Sequence, residues 1–432
     1  MKETAETSYE EAVQYILDIP KFTSKNTPAD TTAFLARLGN PDKAGKIVHV
    51  AGTNGKGSVC AYLSNVLRKA EKSVCTFTSP HLVDIRERFM VNGRMISKEE
   101  FLEAYQCIMK IIHEDSQGIK HPTFFEFLFL MAMVLFRNKG CEYWILETGL
   151  GGRLDATNSV AEKELAIITH MGLDHTEYLG NTIEKIAGEK AGIMKNAKKT
   201  LFWETSEIVT EVLEEYAKKY HIPYILVSNC DYEFLNFKNK SIDFSYHSLY
   251  YDNVRLHLHT IAVYQQQNVT LALRAAELLL GEEDLSEKIL QSAVEDTYWA
   301  GRMEEVMPEV FVDGAHNEDG ILAFLDTVSR DGFCGKRHLY FGVVADKAYE
   351  DMIRDIMESN LFDEVSLIQI NSARALSSDK MKEVFAHYTD KDIRTFSSAR
   401  EAVLEIKNRR EKELRIYMAG SLYLVGEIKE NI

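Results

Sequence analysis

Apolar positions along this chain fall into short, nearly continuous runs, separated by stretches in which they return every three or four residues. The run over residues 46–51 reads as a buried strand, and residues 9–19 and 30–38 before it have helical spacing. Further strand-like runs at 74–78, 143–147, 165–169, 199–203 and 224–227 alternate with helical patterns that include 58–70, 99–113 and 182–195. Strand and helix in alternation predict a parallel, doubly wound α/β sheet. From residue 230 to 258 the period shortens, and segments 232–237, 242–246 and 254–258 predict a small antiparallel meander, followed by a helix over 266–280. After a break at Tyr298-Trp-Ala-Gly-Arg-Met303, a second series of strands is expected at 309–312, 338–343, 365–370, 393–396 and 414–418. With 432 residues the chain exceeds the roughly 250–300 at which a single core stops growing. Two domains are therefore expected: 1–297, built on the large sheet, and 298–432, a smaller Rossmann-like α/β domain.

Composition narrows the class. Hydrophobic residues make up 45% of the chain, which excludes a disordered protein. Fifty Lys and Arg against 66 Asp and Glu leave a net charge of −16, and no basic stripe offers to track a nucleic acid backbone. Six cysteines without a C-x-x-C pair fit a reduced, cytoplasmic protein. The most apolar run, 123–136, is broken by Glu126 and is shorter than the ~20 residues that span a bilayer, so it is expected as a buried helix. No nucleic acid or membrane partner is expected, and the chain is expected to be a monomer.

The chemistry starts at Val48-His-Val-Ala-Gly-Thr-Asn-Gly-Lys-Gly-Ser58, where the first strand runs through three glycines into a helix. Glycines let backbone N–H groups wrap a phosphate, the helix start adds partial positive charge, and Lys56 adds a full one. The strict Walker spacing is absent: Val50 stands where its first glycine belongs, and Gly57 separates Lys56 from Ser58. The loop resembles that of folylpolyglutamate synthases, members of the Mur ligase family. Further matches follow in the family's order: Thr78-Ser-Pro-His-Leu82, Glu147-Thr-Gly-Leu-Gly-Gly-Arg-Leu-Asp-Ala-Thr-Asn158, Gly172-Leu-Asp-His175, Glu189-Lys-Ala-Gly-Ile-Met-Lys195, Gly301-Arg302 and Asp313-Gly-Ala-His-Asn317.

The resemblance implies an ATP-dependent ligase that uses Mg2+ to join L-glutamate to a folate through an acyl phosphate, with folate, L-glutamate and ATP as its small-molecule partners. It assigns Thr53, Asn54, Gly55, Lys56, Gly57 and Ser58 to the nucleotide, together with Asn268, Arg302 and Asp313. In Gln265-Gln-Gln-Asn268 the preceding residue Ala262 departs from the usual glycine. For the metal it implies Ser79, Glu147 and His175, with His170 as the competing histidine. It implies catalytic roles for Lys56, Lys190 and His316, Lys190 as a carbamate; the alternative for Lys190 is an exposed helix lysine paired with Glu184 or Glu189. Phe124, Arg153 and Asp155 are implied folate contacts, against core packing for the first and structural salt bridging for the other two. Ser421 and Tyr423 are implied amino-acid contacts. Two rivals stay open on the residues: a peptidoglycan ligase acting on a UDP-sugar, against which the 45 residues before Lys46 speak, and a nucleotide-binding module without ligase activity. Use of dihydropteroate as a second substrate is also open.

Overall fold

The computed structural model describes residues 7–20, 26–114, 118–390, 392–409 and 413–432. They divide into two compact units. The first takes Met1–Met171, Thr182–Asn229 and Asn268–Ala293, and the second takes Gly172–Asn181, Cys230–Gln267 and Val294–Ile432.

The first unit is built on eight strands: β1 (Lys46–Ala51), β2 (Val74–Phe77), β3 (Phe89–Val91), β4 (Arg94–Met95), β5 (Tyr143–Glu147), β6 (Leu165–Ile168), β7 (Thr200–Trp203) and β8 (Tyr224–Val227). Their order is β4-β3-β2-β5-β1-β6-β7-β8, parallel except for β3 and β4. β1, β2, β5, β6 and β7 are buried along nearly their whole length, as a parallel sheet covered on both faces requires. The 123–136 run forms the helix Phe124–Lys139, with a Thr123/Glu126 capping box and Gly140 closing it in the left-handed conformation. Its residues from Phe127 to Phe136 are all buried and form the largest part of the core on one face of the sheet.

The second unit holds two sheets. β9 (Tyr232–Lys238), β10 (Ser241–Tyr246) and β11 (Val254–Leu258) form the antiparallel meander in the order β11-β10-β9. β12 (Glu304–Met307), β13 (Val310–Val312), β14 (Lys336–Phe341), β15 (Glu364–Ile368), β16 (Arg394–Phe396) and β17 (Leu414–Ala419) form a sheet ordered β12-β13-β17-β14-β15-β16, parallel except for β12.

The doubly wound α/β class read from the sequence matches this architecture, and most elements fall within two residues of their expected bounds. Two pieces have no counterpart in the hydrophobic pattern. The β3–β4 hairpin and β12 are exposed or half-buried over nearly all their positions, so no continuous apolar run marks them.

Candidate active site

In both parallel sheets the chain reverses direction of travel beside a central strand, which opens a crevice at the carboxyl ends of the strands. In the first unit that strand is β1, flanked by β5 and β6. The loop after β1 leads directly into the helix Lys56–Lys69, and Gly55 precedes that helix with a φ of +86°. A side chain at Gly52 would collide with Thr169 Oγ1, and one at Gly55 with Asn268 Oδ1, so the loop lies tight against both neighbours. Its backbone is pinned by Thr53 and Asn54 N–H donating to the His170 carbonyl at 2.9 and 3.3 Å, and by Thr169 Oγ1 donating to the Asn54 carbonyl at 2.6 Å.

Two ammonium groups converge on this loop. Lys56 Nζ donates to the carbonyls of Gly52 and Thr53 at 3.1 and 3.0 Å, and Lys190 Nζ donates to Gly52 at 2.7 Å. Lys190 sits on the helix Ile183–Ala191 and is 4% exposed, which rules out the exposed-helix alternative for it. Ser58 Oγ is buried and has no hydrogen-bond partner among the described residues. A buried hydroxyl left unpaired costs free energy unless a ligand satisfies it, and here it lies in the first turn of a helix that follows a glycine loop bearing two cations. A nucleotide phosphate with its Mg2+ fits this setting.

Glu147 ends β5 in register with Val50 of β1, is buried, and accepts a hydrogen bond from Ser79 N–H at 2.8 Å. The structure thus brings Ser79 and Glu147 together. Among the described residues no group of three His, Cys, Asp or Glu side chains is arranged to hold a metal. Mg2+ is commonly bound through one or two protein carboxylates plus substrate phosphates and water, and Glu147 with Ser58 and Ser79 could supply the protein's share.

The Gly149–Asp155 connection is shaped by Asp155. Its carboxylate accepts from Gly149, Leu150 and Thr157 N–H at 3.0, 2.9 and 3.0 Å, and from Thr157 Oγ1 at 2.6 Å. Arg153 pairs with Glu189 at 2.7 Å. Phe124 is buried at the start of its helix, with the Arg88 guanidinium 5.5 Å from its ring centre. Phe125, which was not singled out in the sequence, presents its ring directly to Gly149.

In the second unit, Asp313 follows β13. Its carboxylate accepts from Ala315 and Met303 N–H at 2.8 and 2.9 Å and from the Tyr264 hydroxyl. Burial pushes its pKa up, and the nearby Arg302 opposes that shift. The Arg302 guanidinium lies against Gly314. His316 Nδ1 donates to the Gly314 carbonyl at 2.8 Å, because a carbonyl can only accept, and its Nε2 lies 3.7 Å from Asp174. Burial and the Lys347 ammonium push the His316 pKa down to about 4, so the ring is neutral near pH 7. Asp174 also accepts from Lys347 Nζ, from Asn317 Nδ2 at 3.0 Å and from His175 N–H at 2.8 Å. Although burial opposes it, the His316 ring, the Lys347 ammonium and the His175 ring around it hold Asp174 well below the usual carboxylate range. His175 is half-buried in the left-handed conformation at the start of the helix Thr176–Leu179. Ser421 caps the helix Leu422–Asn431, its Oγ accepting from Tyr423 N–H at 3.1 Å, while the exposed Tyr423 ring is met by Arg374.

The sequence of the Mur ligase middle domain matches residues 50–276, more than half of the chain, and that of the Mur ligase glutamate ligase domain matches residues 301–422. This chain belongs to the Mur ligase family. Within that family it is 31% identical over 436 residues to the dihydrofolate synthase/folylpolyglutamate synthase of Bacillus subtilis, covering 99% of both chains. Among solved structures it is similar to folylpolyglutamate synthase of Thermotoga maritima, with 28% identity, a TM-score of 0.82, and 98% and 96% of the two chains covered. It is also similar to the Mycobacterium tuberculosis folylpolyglutamate synthase complexed with ADP and AMPPCP, with 25% identity, a TM-score of 0.87, and 98% of both chains covered.

Asp174, Tyr264, Asn317 and Lys347 of this Mur ligase's polar sites carried no role in the sequence reading. Asp174 lies inside the Gly172-Leu-Asp-His175 motif, so a signal was there. Tyr264 and Lys347 lie 49 and 173 residues from the carboxylates they hold, and only the fold joins them.

Proposed function

We propose that this Mur ligase is an ATP-dependent carboxylate–amine ligase that adds L-glutamate to the γ-carboxylate of folates. The observation that carries the reading is the convergence of the Lys56 and Lys190 Nζ atoms on the Gly52 carbonyl, in a loop whose helix holds the unpaired Ser58 hydroxyl, in a chain whose whole length matches a dihydrofolate/folylpolyglutamate synthase. A carboxylate does not condense with an amine in water because its oxygen leaves poorly. Transfer of the γ-phosphoryl group of ATP to the folate carboxylate forms an acyl phosphate and releases ADP. The α-amino group of glutamate then attacks the carbonyl carbon, the amine gives up a proton, and inorganic phosphate leaves as the C–O bond breaks.

The residues supply placement and charge. Thr53 and Asn54 anchor the loop on the nucleotide side through the His170 carbonyl, the backbone N–H groups of residues 55–58 cradle the phosphates, Lys56 meets the charge that grows during transfer, and Glu147 with Ser58 and Ser79 would hold Mg2+. When bound, that ion screens the phosphate oxygens. Lys190, placed against the same loop, is read as the carbamate-bearing residue of the second metal position, and His175 as a further ligand on the strength of the sequence resemblance. Asp313, Arg302 and Asn268 are read as nucleotide contacts and His316 as a catalytic group. Phe124, Arg153 and Asp155 are assigned to the folate side, and Ser421 and Tyr423 to glutamate. We keep the sequence boundary, with 1–297 serving ATP and folate and 298–432 serving glutamate, and we place the chain in the cytoplasm as a monomer. No helix among the described residues is long and apolar enough to cross a membrane.

The name of the Bacillus subtilis relative favours a second activity, joining glutamate to dihydropteroate. ADP release measured with dihydropteroate and with tetrahydrofolate, each with and without L-glutamate, tests both. Release that needs tetrahydrofolate and glutamate together supports the main reading. Release in the dihydropteroate arm supports the second activity.

A further inference from the structure

Lys163 is a buried lysine with no acidic partner among the described residues. It is 2% exposed, and its Nζ donates to two uncharged acceptors, Asn158 Oδ1 at 2.7 Å and the Lys195 carbonyl at 2.8 Å. An ammonium removed from water in this way is costly, so its surroundings must favour charge. They do, because Lys195 directly follows the turn Gly192–Met194 that ends the helix Ile183–Ala191. The last carbonyls of a helix lack intrahelical partners and carry partial negative charge. Asn158 reinforces the same end, its Nδ2 donating to Gly192 at 3.3 Å and to Arg153 at 3.2 Å. The Lys163 backbone joins in through bonds to Asn196 and Lys198 at 3.0 and 2.9 Å. The helix clamped in this way carries Lys190 near the same end, two residues before Gly192, and Lys190 bonds the phosphate loop at Gly52.

We propose that Lys163 is a positioning residue for Lys190, its ammonium fixing the end of the Lys190 helix through Asn158 and the Lys195 carbonyl so that Lys190 is held against Gly52. This rests on the catalytic reading of Lys190 given above. Lys163 acts on the backbone that carries Lys190. Burial, aided by the positive charge of Lys195, lowers its pKa to about 8. Lys195 and His49 are the titratable groups that face it, and His49 is itself pushed well down by burial and by Lys163. The clamp therefore loses its charge slightly above neutral pH, whereas an arginine in its place would keep it.

The test uses the full chain with Lys163→Met, Lys163→Arg and Lys190→Ala. Three quantities are read: kcat and KM for ATP and glutamate, the acylation rate of Lys190 by an amine-reactive reagent relative to exposed Lys336, and the pH dependence of the ratio of wild-type to Lys163→Arg activity. Lys163→Met should lower kcat about tenfold with KM for glutamate unchanged, raise relative acylation of Lys190 several-fold, and be partly rescued by Lys163→Arg. The wild-type to Lys163→Arg ratio should fall as pH rises through about 8. Unchanged kcat and unchanged Lys190 acylation in Lys163→Met overturn the proposal. If Lys163→Met does not fold, a flat activity ratio across that pH range overturns it. If Lys190→Ala is active, the catalytic reading of Lys190 fails, and the acylation rates still decide whether Lys163 positions it.

Discussion

The phosphate loop of the first unit and the carboxyl-end loops of the second hold charge by different means. In the first, the partners are mostly backbone: Lys56 and Lys190 rest on the Gly52 carbonyl, and the loop hangs from the His170 carbonyl. In the second, side chains hold side chains, with Asp174 taking Lys347 and Asn317 beside His316, and Asp313 taking Tyr264. A backbone cradle is dictated by a few contiguous residues and tolerates change around it. A side-chain network needs every member, because each one left alone is a buried polar group without its partner.

The largest expected effect is on the cradle. Lys56→Ala should lower turnover by about 10³–10⁵-fold with the circular-dichroism spectrum and melting temperature nearly unchanged, since the lysine contributes charge and little packing. Near-normal turnover in the folded variant would remove ATP from this loop. For the network, Asp174→Asn should leave the Lys347 ammonium buried without its counter-charge. A cost of about 3–5 kcal/mol is expected, read as a drop in denaturant midpoint. A loss confined to activity would mean that Asp174 acts on substrate and does not hold the network.

A smaller effect is expected from His338 on β14, a buried ring that shares a hydrogen bond with Ser366 at 2.9 Å. Burial and Arg409 lower its pKa to about 4. Above the ordinary value of 6.5 both folded and unfolded chains are neutral there, and the full stability is present. As pH falls from 6.5 through about 4, the unfolded chain takes up a proton that the folded one refuses, so stability declines. His338→Gln should flatten that decline by roughly 2–3 kcal/mol, and urea midpoints at several pH values measure it; an unchanged slope would mean the ring is not held neutral. The lowered His316 adds in the same direction. Smallest is Glu147→Gln, which keeps shape and loses charge and should raise the Mg2+ needed for half-maximal activity about tenfold. An unchanged Mg2+ titration would leave the cradle purely backbone-built.

The same contrast explains what could be read from the sequence. The 46–58 segment exposed its strand, loop and helix because each signal is local: a buried run, three glycines and a lysine in one turn. Lys190 could be named from its motif, but its burial depended on packing that no spacing reveals. Asp155 could be named too, yet its contacts are with the loop's own N–H groups and Thr157. Tyr264 and Lys347 gave no signal, since the partner that gives each its meaning is far away in sequence. The β3–β4 hairpin and β12 were missed for want of buried apolar positions, which matters little to the chemistry because neither carries a proposed site residue.

The central claim is that the phosphate loop serves amide-bond formation between a folate and glutamate. The most direct test is to measure ADP release by the purified chain with ATP, Mg2+, tetrahydrofolate and L-glutamate, omitting each in turn, and to weigh the folate product by mass spectrometry. The account predicts ADP in step with a folate heavier by one glutamyl residue, and neither when glutamate or folate is left out. ADP release indifferent to both, or no glutamylated folate or pteroate at any substrate level, would contradict it.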